Sequence, residues 1–365
     1  MRMSKLLAIA LVALLGAGCA SNTTGVGYYW QSVTGHLQLM QAARPVDDWL
    51  ADDTAPSTLK ARLENARRIR QFAVSELALP DNNSYHRYAD LKRRAAVYNV
   101  VAAPALSLKL ETWCFPVAGC VGYRGYFSET DARAFADSLD NQLEVSVYPV
   151  PAYSTLGWMN WAGGDPLLNT FITYPEGELA RIVFHELAHQ VVYVQNDTAF
   201  NESFATTVER LGGARWLTGA TDQARADYAT FDDRRRAFRA LTRSTRERLK
   251  AIFEDTDMPD DTKQQRKAAA MDGFRQQYAH LKAGWNGYAG YDPFVTRANN
   301  ASFAAQAAYD EWVPAFEALF EREGRDFARF YDAVRELAER PKDERHTALR
   351  ALAPTALAAT DTSRP

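Results

Sequence analysis

Residues 181–189 contain the pattern H-E-x-x-H, formed by His185, Glu186 and His189. Two histidines four positions apart lie about one turn apart on a helix, so both rings reach toward the same point. Neutral imidazole is a good zinc ligand, and two rings at this spacing can occupy two corners of a tetrahedron. The pattern therefore predicts half of a zinc site. The alternative is a buried helix whose His and Glu side chains pair with neighbouring residues.

The surroundings of the pattern favour the metal. Apolar residues cover nearly the whole circumference of the predicted helix, which is typical of a core helix. Buried polar side chains without partners are costly, and a metal would satisfy these three. Glu186 is then placed to act as general base on a zinc-activated water, as in zinc peptidases. Ahead of the helix, Thr173 and Glu176 predict a capping box, with Pro175 in the first turn.

A third ligand follows in the sequence. Asn196 and Asp197 are predicted to end the first helix, and Asn201 to cap or orient a second one that folds back beside it. Glu202 would lie in the first turn of that helix. The N-E-x-x-A pattern resembles the gluzincins, in which His, His and Glu leave the fourth zinc position open for water. Glu209, two turns later, is either a competing ligand or a residue that orients one.

The composition is that of a globular protein. The chain has 365 residues, of which 47% are hydrophobic and 24% are charged. The formal net charge of −3 gives no general reason to expect a nucleic-acid partner. The helix predicted over residues 223–253 is rich in arginine, and a basic nucleic-acid face is the alternative, but acidic residues are interspersed along it, so we interpret it as a solvated helix.

The N-terminus is predicted to be a targeting segment. Arg2 and Lys5 precede an apolar run, residues 6–15, that is too short for a stable membrane span. The run leads into L-G-A-G-C, which resembles a bacterial lipoprotein signal. Residues 1–18 would be removed, Cys19 would carry lipid, and residues 19–27 would form a tether. Ala20 favours the outer membrane, with the protein facing the periplasm. The alternative is an ordinary secretory signal with an incidental cysteine.

Two further cysteines, Cys114 and Cys120, are separated by a short loop. In an oxidising periplasm, two nearby cysteines are interpreted as a disulfide. Their spacing is not C-x-x-C and no histidine lies nearby, so a metal site is the weaker alternative.

Periodicity predicts an α+β fold, predominantly helical, with a small sheet and a long helical hairpin. The resemblance of the zinc motif to that of the gluzincins implies that this fold is zincin-like. We expect one peptidase domain over residues 28–352, with residues 220–284 as a hairpin insertion and residues 353–365 as a flexible tail. Strands are predicted over residues 98–110 and 144–150. Helices are predicted over residues 28–43, 56–79, 129–143 (capped by Ser128), 223–253, 262–282, 301–319, 324–337 and 343–352.

The segment after the second strand is a candidate substrate-binding edge. In zincin folds an edge strand crosses the cleft and pairs with the extended substrate backbone. We therefore expect residues 152–157 to lie near the substrate, although a plain connecting loop is the alternative. The residues concerned are Tyr153, Ser154, Thr155, Leu156 and Gly157.

Motifs along nearly the whole chain resemble one family, the predicted aminopeptidases of bacterial envelopes, which are HExxH lipoproteins. They are the Cys19 signal and residues 28–32, 35–37, 114–120, 123–127, 153–158, 165–168, 185–189, 201–205 and 299–301. The resemblance implies a zinc-dependent hydrolase of peptide substrates, attached to the membrane through Cys19. The family name rests mainly on the zinc motif, so it implies little about the substrate.

The mechanism implied for such an enzyme needs a donor to the oxyanion, for which gluzincins usually supply a Tyr or His. Tyr288, Tyr291 and Tyr309 are the candidates downstream of the ligands. An exopeptidase also needs an acidic group for the substrate α-amine, and the sequence offers no separate motif for one. Two other classes therefore stay open, an envelope endopeptidase and a non-catalytic zinc-binding envelope protein.

Overall fold

The computed structural model describes residues 25–115, 119–307 and 311–361, with the backbone alone for residues 353–361. Cys19 and Tyr309 lie outside the described residues. The fold is α+β and mostly helical, as predicted. Its helices are α1 (Gly25–Ala42), α2 (Val46–Ala51), α3 (Ser57–Ser75), α4 (Glu129–Asp137), α5 (Glu176–Ala188), α6 (Thr198–Thr218), α7 (Asp222–Glu254), α8 (Asp260–Gly284), α9 (Asp292–Arg297), α10 (Asn300–Ala307), α11 (Val313–Arg322), α12 (Phe327–Ala338) and α13 (Lys342–Asp361).

The strands are short and form three small sheets. They are β1 (Ala43–Pro45), β2 (Arg87–Ala89), β3 (Val97–Pro104), β4 (Trp113–Phe115), β5 (Gly119–Val121), β6 (Arg124–Tyr126), β7 (Leu143–Val150) and β8 (Leu167–Leu168). The sheet orders are β1-β2-β8, β6-β3-β7 and β4-β5. The predicted disulfide is confirmed, since Cys114 and Cys120 face each other across the β4–β5 hairpin and are bonded.

The antiparallel sheet β6-β3-β7 separates the site from a small core. In β3, Val100 packs with Tyr126 and with Phe135 of α4 on one face. Because successive strand residues point to opposite faces, Val97 and Asn99 point the other way, into the cavity described below. Strand β7 lies at the edge of this sheet, paired only with β3 among the described strands, in a register from Val97↔Val150 to Pro104↔Leu143.

The two largest hydrophobic cores serve different parts of the chain. The larger one surrounds α5 and α6 and includes Phe184, Leu187 and Phe204, all fully buried. The second lies within the α7–α8 hairpin and its neighbours, with Phe238 and Phe274 at its centre. The predicted hairpin is confirmed to within a few residues at each end.

Several predicted boundaries were wrong. Helix α3 ends at Ser75, α4 ends at Asp137, and β3 ends at Pro104, where proline removes a backbone donor. The helix predicted over residues 301–319 is divided into α10 and α11, and the preceding loop contains α9. Ser128 does cap α4, by accepting a hydrogen bond from the Asp131 N–H.

The predicted capping box ahead of α5 is also wrong. Pro175 occupies the N-cap, and no side chain caps the helix there. The Glu176 carboxylate instead accepts a hydrogen bond from the Trp216 indole at 3.1 Å, which ties α5 to α6. Among the described residues, no helix has the length and hydropathy of a membrane-spanning segment.

Candidate metal centre

Three side chains converge at the C-terminal end of α5. His185 lies in its last turn, His189 caps it, and Glu202 comes from the first turns of α6. The two Nε2 atoms are 3.2 Å apart, and Glu202 Oε2 lies 3.4 Å from that of His185 and 3.8 Å from that of His189. All three ligand atoms lie within 4.8 Å of one another, so one ion could contact them all.

The donor set suits a metal. Among the described residues, this is the one group of three or more His, Cys, Asp or Glu side chains with ligand spacing. Two imidazole nitrogens and one carboxylate oxygen form an N,N,O set with room for a further ligand, as in catalytic zinc sites. Burial lowers the pKa of His189 to about 4, which favours the neutral ring that a metal ligand must have. For His185, burial also lowers the pKa, but the hydrogen bonds with Glu202 and Glu209 outweigh it and raise the pKa well above its usual value, so a bound metal would have to displace a proton from that ring.

The loop between the helices is fixed by α6 and α13. The Asn201 amide donates to the Val194 carbonyl and accepts from the Val194 N–H, both at 2.8 Å. Asp197 caps α6 by accepting from the Phe200 N–H, and it also forms a buried ion pair with Arg345 of α13 at 2.6 Å. Asn201 therefore orients the loop, whereas the cap of α6 is Asp197. Together these contacts set Glu202 opposite the two histidines.

Glu209 contacts the other side of His185. Its Oε2 lies 3.1 Å from His185 Nδ1, whereas the Nε2 atom of that ring faces Glu202. Its Oε1 accepts from the buried Arg181. Although burial raises the pKa of Glu209, Arg181 and the hydrogen bond with His185 outweigh that effect and lower it to about 2. Of the two roles considered for Glu209, the geometry favours orientation of a ligand over coordination.

Hairpin helix α7 extends this polar network. Tyr228 lies 3.3 Å from the Arg181 guanidinium, which donates to it. Arg235 forms an ion pair at 2.6 Å with Glu178, one helical turn before Arg181. The helix that carries both histidines is thus supported from α7 through buried charged contacts.

Glu186 lies in the same cavity and has its own supporting groups. Burial raises the pKa of Glu186 to about 7, with nearby His185 opposing the shift and Glu202 adding to it. The Ser154 hydroxyl lies close enough to the Glu186 carboxylate to oppose this rise in its pKa. The Thr155 N–H donates to the buried Asp165 carboxylate at 3.1 Å, which holds the turn that presents Ser154.

The cavity around these groups has a volume of about 340 Å³. Apart from the metal triad and Glu186, its described lining carries no charged side chain. Aromatic and small polar groups form most of the wall; examples are Tyr28, Phe127, Tyr153, Asn99, Tyr123 and Tyr193.

The predicted substrate segment reaches this cavity, although not as a strand. Residues 152–157 form an irregular turn after β7, and Tyr153, Ser154 and Leu156 line the cavity. Thr155 and Gly157 support the turn, the latter with a φ of 80° that favours glycine. A role of this segment in binding substrate stays a prediction.

Two of the three tyrosines considered as oxyanion donors, Tyr288 and Tyr291, lie away from the cavity. Tyr291 stacks on Phe238 in the hairpin core, with ring centroids 4.0 Å apart, and Tyr288 packs against Tyr291. Neither is among the described residues that line the cavity. Tyr309 lies outside the described residues.

Sequence reasoning missed Tyr123, Tyr193 and Asp165 as members of the site. Burial and the nearby Glu202 carboxylate raise the pKa of Tyr123 well above its usual value, so its hydroxyl remains protonated. Tyr193 lies four residues after His189, beyond the end of α5, and its ring lies 6.2 Å from that imidazole. The Asp165-Pro166 pair was visible as a motif, but nothing in the sequence connected it with Glu186.

Comparison with known proteins identifies the family of the chain. No curated protein and no solved structure matches the chain. Residues 27–349 match the model of a protein family described as "Putative aminopeptidase". That match includes the metal triad, Glu186 and nearly every described element. The chain therefore belongs to this aminopeptidase family.

Proposed function

We propose that this protein is a zinc-dependent, zincin-like peptidase of the gluzincin type. The observation that carries the proposal is the convergence of His185, His189 and Glu202 with Glu186 in one cavity. A purely structural zinc site has no need of a buried, uncoordinated carboxylate beside its ligands. Family membership supports peptide hydrolysis as the reaction.

The roles follow from the positions. Zinc bound at such a site lowers the pKa of a water molecule and polarises the substrate carbonyl. Glu186 accepts a proton from the attacking water as the new C–O bond forms. It then delivers that proton to the amide nitrogen as the C–N bond breaks. Ser154 holds the Glu186 carboxylate in place, and Glu209 fixes the orientation of the His185 ring.

Tyr123 is the donor that we assign to the developing oxyanion. Its phenol lies near both Glu202 and Glu186 in the cavity wall. Loss of one such donor costs about 10²–10³ in kcat. Tyr123→Phe should show that loss with unchanged metal content. A larger loss in Tyr193→Phe would move the role to Tyr193.

The decisive experiment replaces the base. Glu186→Gln keeps the shape of the side chain and removes its basic oxygen, so we expect zinc to be retained and peptide hydrolysis to fall about 10²–10⁴-fold. Glu317→Gln is the matched control, because that carboxylate lies on α11 and pairs with Arg210 at 3.2 Å, outside the cavity. Full activity in zinc-loaded Glu186→Gln protein would exclude the mechanism. Absence of hydrolysis in the wild type would favour a non-catalytic zinc protein.

An endopeptidase is the second candidate. A site for a free α-amine commonly includes a carboxylate apart from the base and the ligands. Among the described residues that line the cavity, Glu186 and Glu202 are the acidic ones. A peptide library with free and blocked N-termini separates the two activities. Cleavage of blocked peptides supports the endopeptidase, and cleavage of free N-termini alone supports the aminopeptidase.

For location, we propose the bacterial cell envelope. The support is the sequence L-G-A-G-C at residues 15–19, preceded by the short apolar run. Lipid on Cys19 would hold the protein at the periplasmic face of a membrane, with the outer membrane favoured. Mass spectrometry of the mature N-terminus tests this directly.

A further inference from the structure

Large exposed apolar side chains are confined to two segments of the described chain. In α1 they are Tyr29, Trp30, Val33 and Leu37, with Trp30 69% exposed. In the loop after β7 they are Trp158 and Trp161, which are 65% and 83% exposed. Isolated exposed apolar residues are ordinary, but tryptophans gathered in two neighbouring segments indicate an interaction surface.

Helix α1 has two distinct faces. Gln31, Gly35 and Leu39 are buried against the protein, while Trp30, Val33 and Leu37 point outward. A Cβ on Gly35 would lie 2.3 Å from the Phe127 ring, so the inward face is in close contact with the body of the protein. The outward face therefore has no partner among the described residues that would bury it.

The tryptophan loop lies beside this helix. A Cβ on Gly163 would lie 3.7 Å from Met40 Cε, in the last turn of α1. Arg87 contributes to the junction by donating to the Met40 carbonyl at 3.3 Å. Trp158 and Trp161 thus extend the apolar surface of α1; we call the two segments together the aromatic face.

The aromatic face carries no formal charge. The 18 residues of α1 include no Asp, Glu, Lys or Arg, and neither do residues 158–164. Solvated helix surfaces normally carry charged side chains. Tryptophan, in contrast, is enriched where a membrane meets water, because its ring is apolar and its indole N–H is polar.

The sequence also places this face close to a membrane. Gly25 follows Cys19 by 6 residues. A chain of that length spans at most about 20 Å. Lipid on Cys19 would therefore hold the start of α1 within that distance of the bilayer.

We propose that the aromatic face lies on the surface of a lipid bilayer, as a second attachment beside the lipid on Cys19. The lipid on Cys19 would hold the chain at the bilayer, and the aromatic face would fix how the domain lies on it. The opposite side of α1 contributes Tyr28 and Ser32 to the metal cavity. The cavity wall then lies about one helix diameter, roughly 10–12 Å, from the lipid, which selects substrates held close to the membrane.

The test uses the full chain, purified from membranes and returned to vesicles of phosphatidylethanolamine and phosphatidylglycerol. Lipids brominated near the headgroup end of the acyl chains should quench the tryptophan emission of the wild type. The variant Trp30→Phe/Trp158→Phe/Trp161→Phe keeps an apolar face and removes its reporters, so the quenching should be lost. Unquenched wild-type emission, or quenching that persists in the triple variant, would overturn the proposal.

Two variants that each introduce one negative charge test the contact between the aromatic face and the lipid. Trp30→Glu should reduce the quenching of the remaining tryptophans, because it puts a carboxylate at the lipid surface. Ala279→Glu makes the same change in charge at an exposed position of α8 and should leave the quenching unchanged. Equal effects of the two variants, an unlipidated Cys19, or a dimer that buries these tryptophans in place of lipid would each contradict the proposal. None of these readouts depends on peptidase activity.

Discussion

Around the metal cavity, buried polar and charged side chains form a continuous series of contacts. Glu202 contacts His185, His185 contacts Glu209, and Glu209 contacts Arg181. In the hairpin of α7 and α8, most ion pairs lie at the surface one turn apart; an example is Arg275 with Asp272 at 2.9 Å. The hairpin instead has an apolar core of its own around Phe274. Polar contacts thus organise the first region, and aromatic packing organises the second.

The two regions are nevertheless joined. Tyr228 and Arg235 reach from α7 to the residues that precede the histidines on α5. The hairpin supports the outer end of the polar network while contributing no described residue to the cavity lining. Substitutions in the two regions should therefore separate metal binding from stability.

The largest effect is expected from Glu202→Ala. This substitution removes one of the three ligand atoms. The two remaining histidines would hold a metal ion that exchanges readily with the solution. We expect metal affinity to fall by more than the 10–100-fold typical of groups that only orient ligands. Metal content after dialysis, with Glu317→Gln as control, measures this. Unchanged metal content would transfer the ligand role to Glu209.

A matched pair of core substitutions separates the regions. Phe184 on α5 and Phe274 on α8 are both buried, so Phe→Ala at either site should cost about 3–5 kcal/mol of unfolding free energy. Only Phe184→Ala should also weaken metal binding, since Phe184 precedes His185 on the same helix. Denaturant unfolding measures the free energy of unfolding of each variant, and metal titration of the folded protein measures its metal affinity. Equal metal affinities in the two variants would show that the packing of α5 does not position the ligands.

The smallest of these effects is expected from Glu209→Gln. The amide can still contact His185 Nδ1 but no longer provides a negative charge for the ring and for Arg181. Metal affinity should fall about 10–100-fold, less than in Glu202→Ala. Competition with a chelator of known affinity gives the ratio. A loss as large as that of Glu202→Ala would mean that Glu209 is itself a ligand.

The sequence predicted those parts of the fold and the site that follow from local periodicity. His185, Glu186 and His189 are related by helical spacing alone, and a short return of the chain brings Glu202 beside them. The long arms of the hairpin were predicted to within a few residues because their apolar pattern continues over many turns. The disulfide followed from two cysteines in one short loop.

The parts of the fold and the site that the sequence did not predict depend on contacts between segments that are distant in the chain. Asp165 acts on Glu186 through the turn at Ser154, and Tyr123 reaches the cavity from the start of β6, so no spacing in the sequence connects them. Strands of two or three residues, such as β2 and β8, are too short to show an alternating pattern. The predicted capping box is absent because α5 begins at Glu176 after an N-cap at Pro175, which leaves Thr173 outside the helix. The Glu176 carboxylate binds Trp216, far along the chain.

The most direct test of the metal centre is zinc K-edge X-ray absorption on the purified full-length protein. The proposed function predicts about one zinc per chain with two imidazoles in its first shell, oxygen or nitrogen neighbours at about 2.0–2.2 Å and no sulfur. Glu186→Gln should give the same spectrum without hydrolysis. A sulfur shell, a single imidazole, or a protein that hydrolyses peptides without bound metal would contradict the assignment of His185, His189 and Glu202.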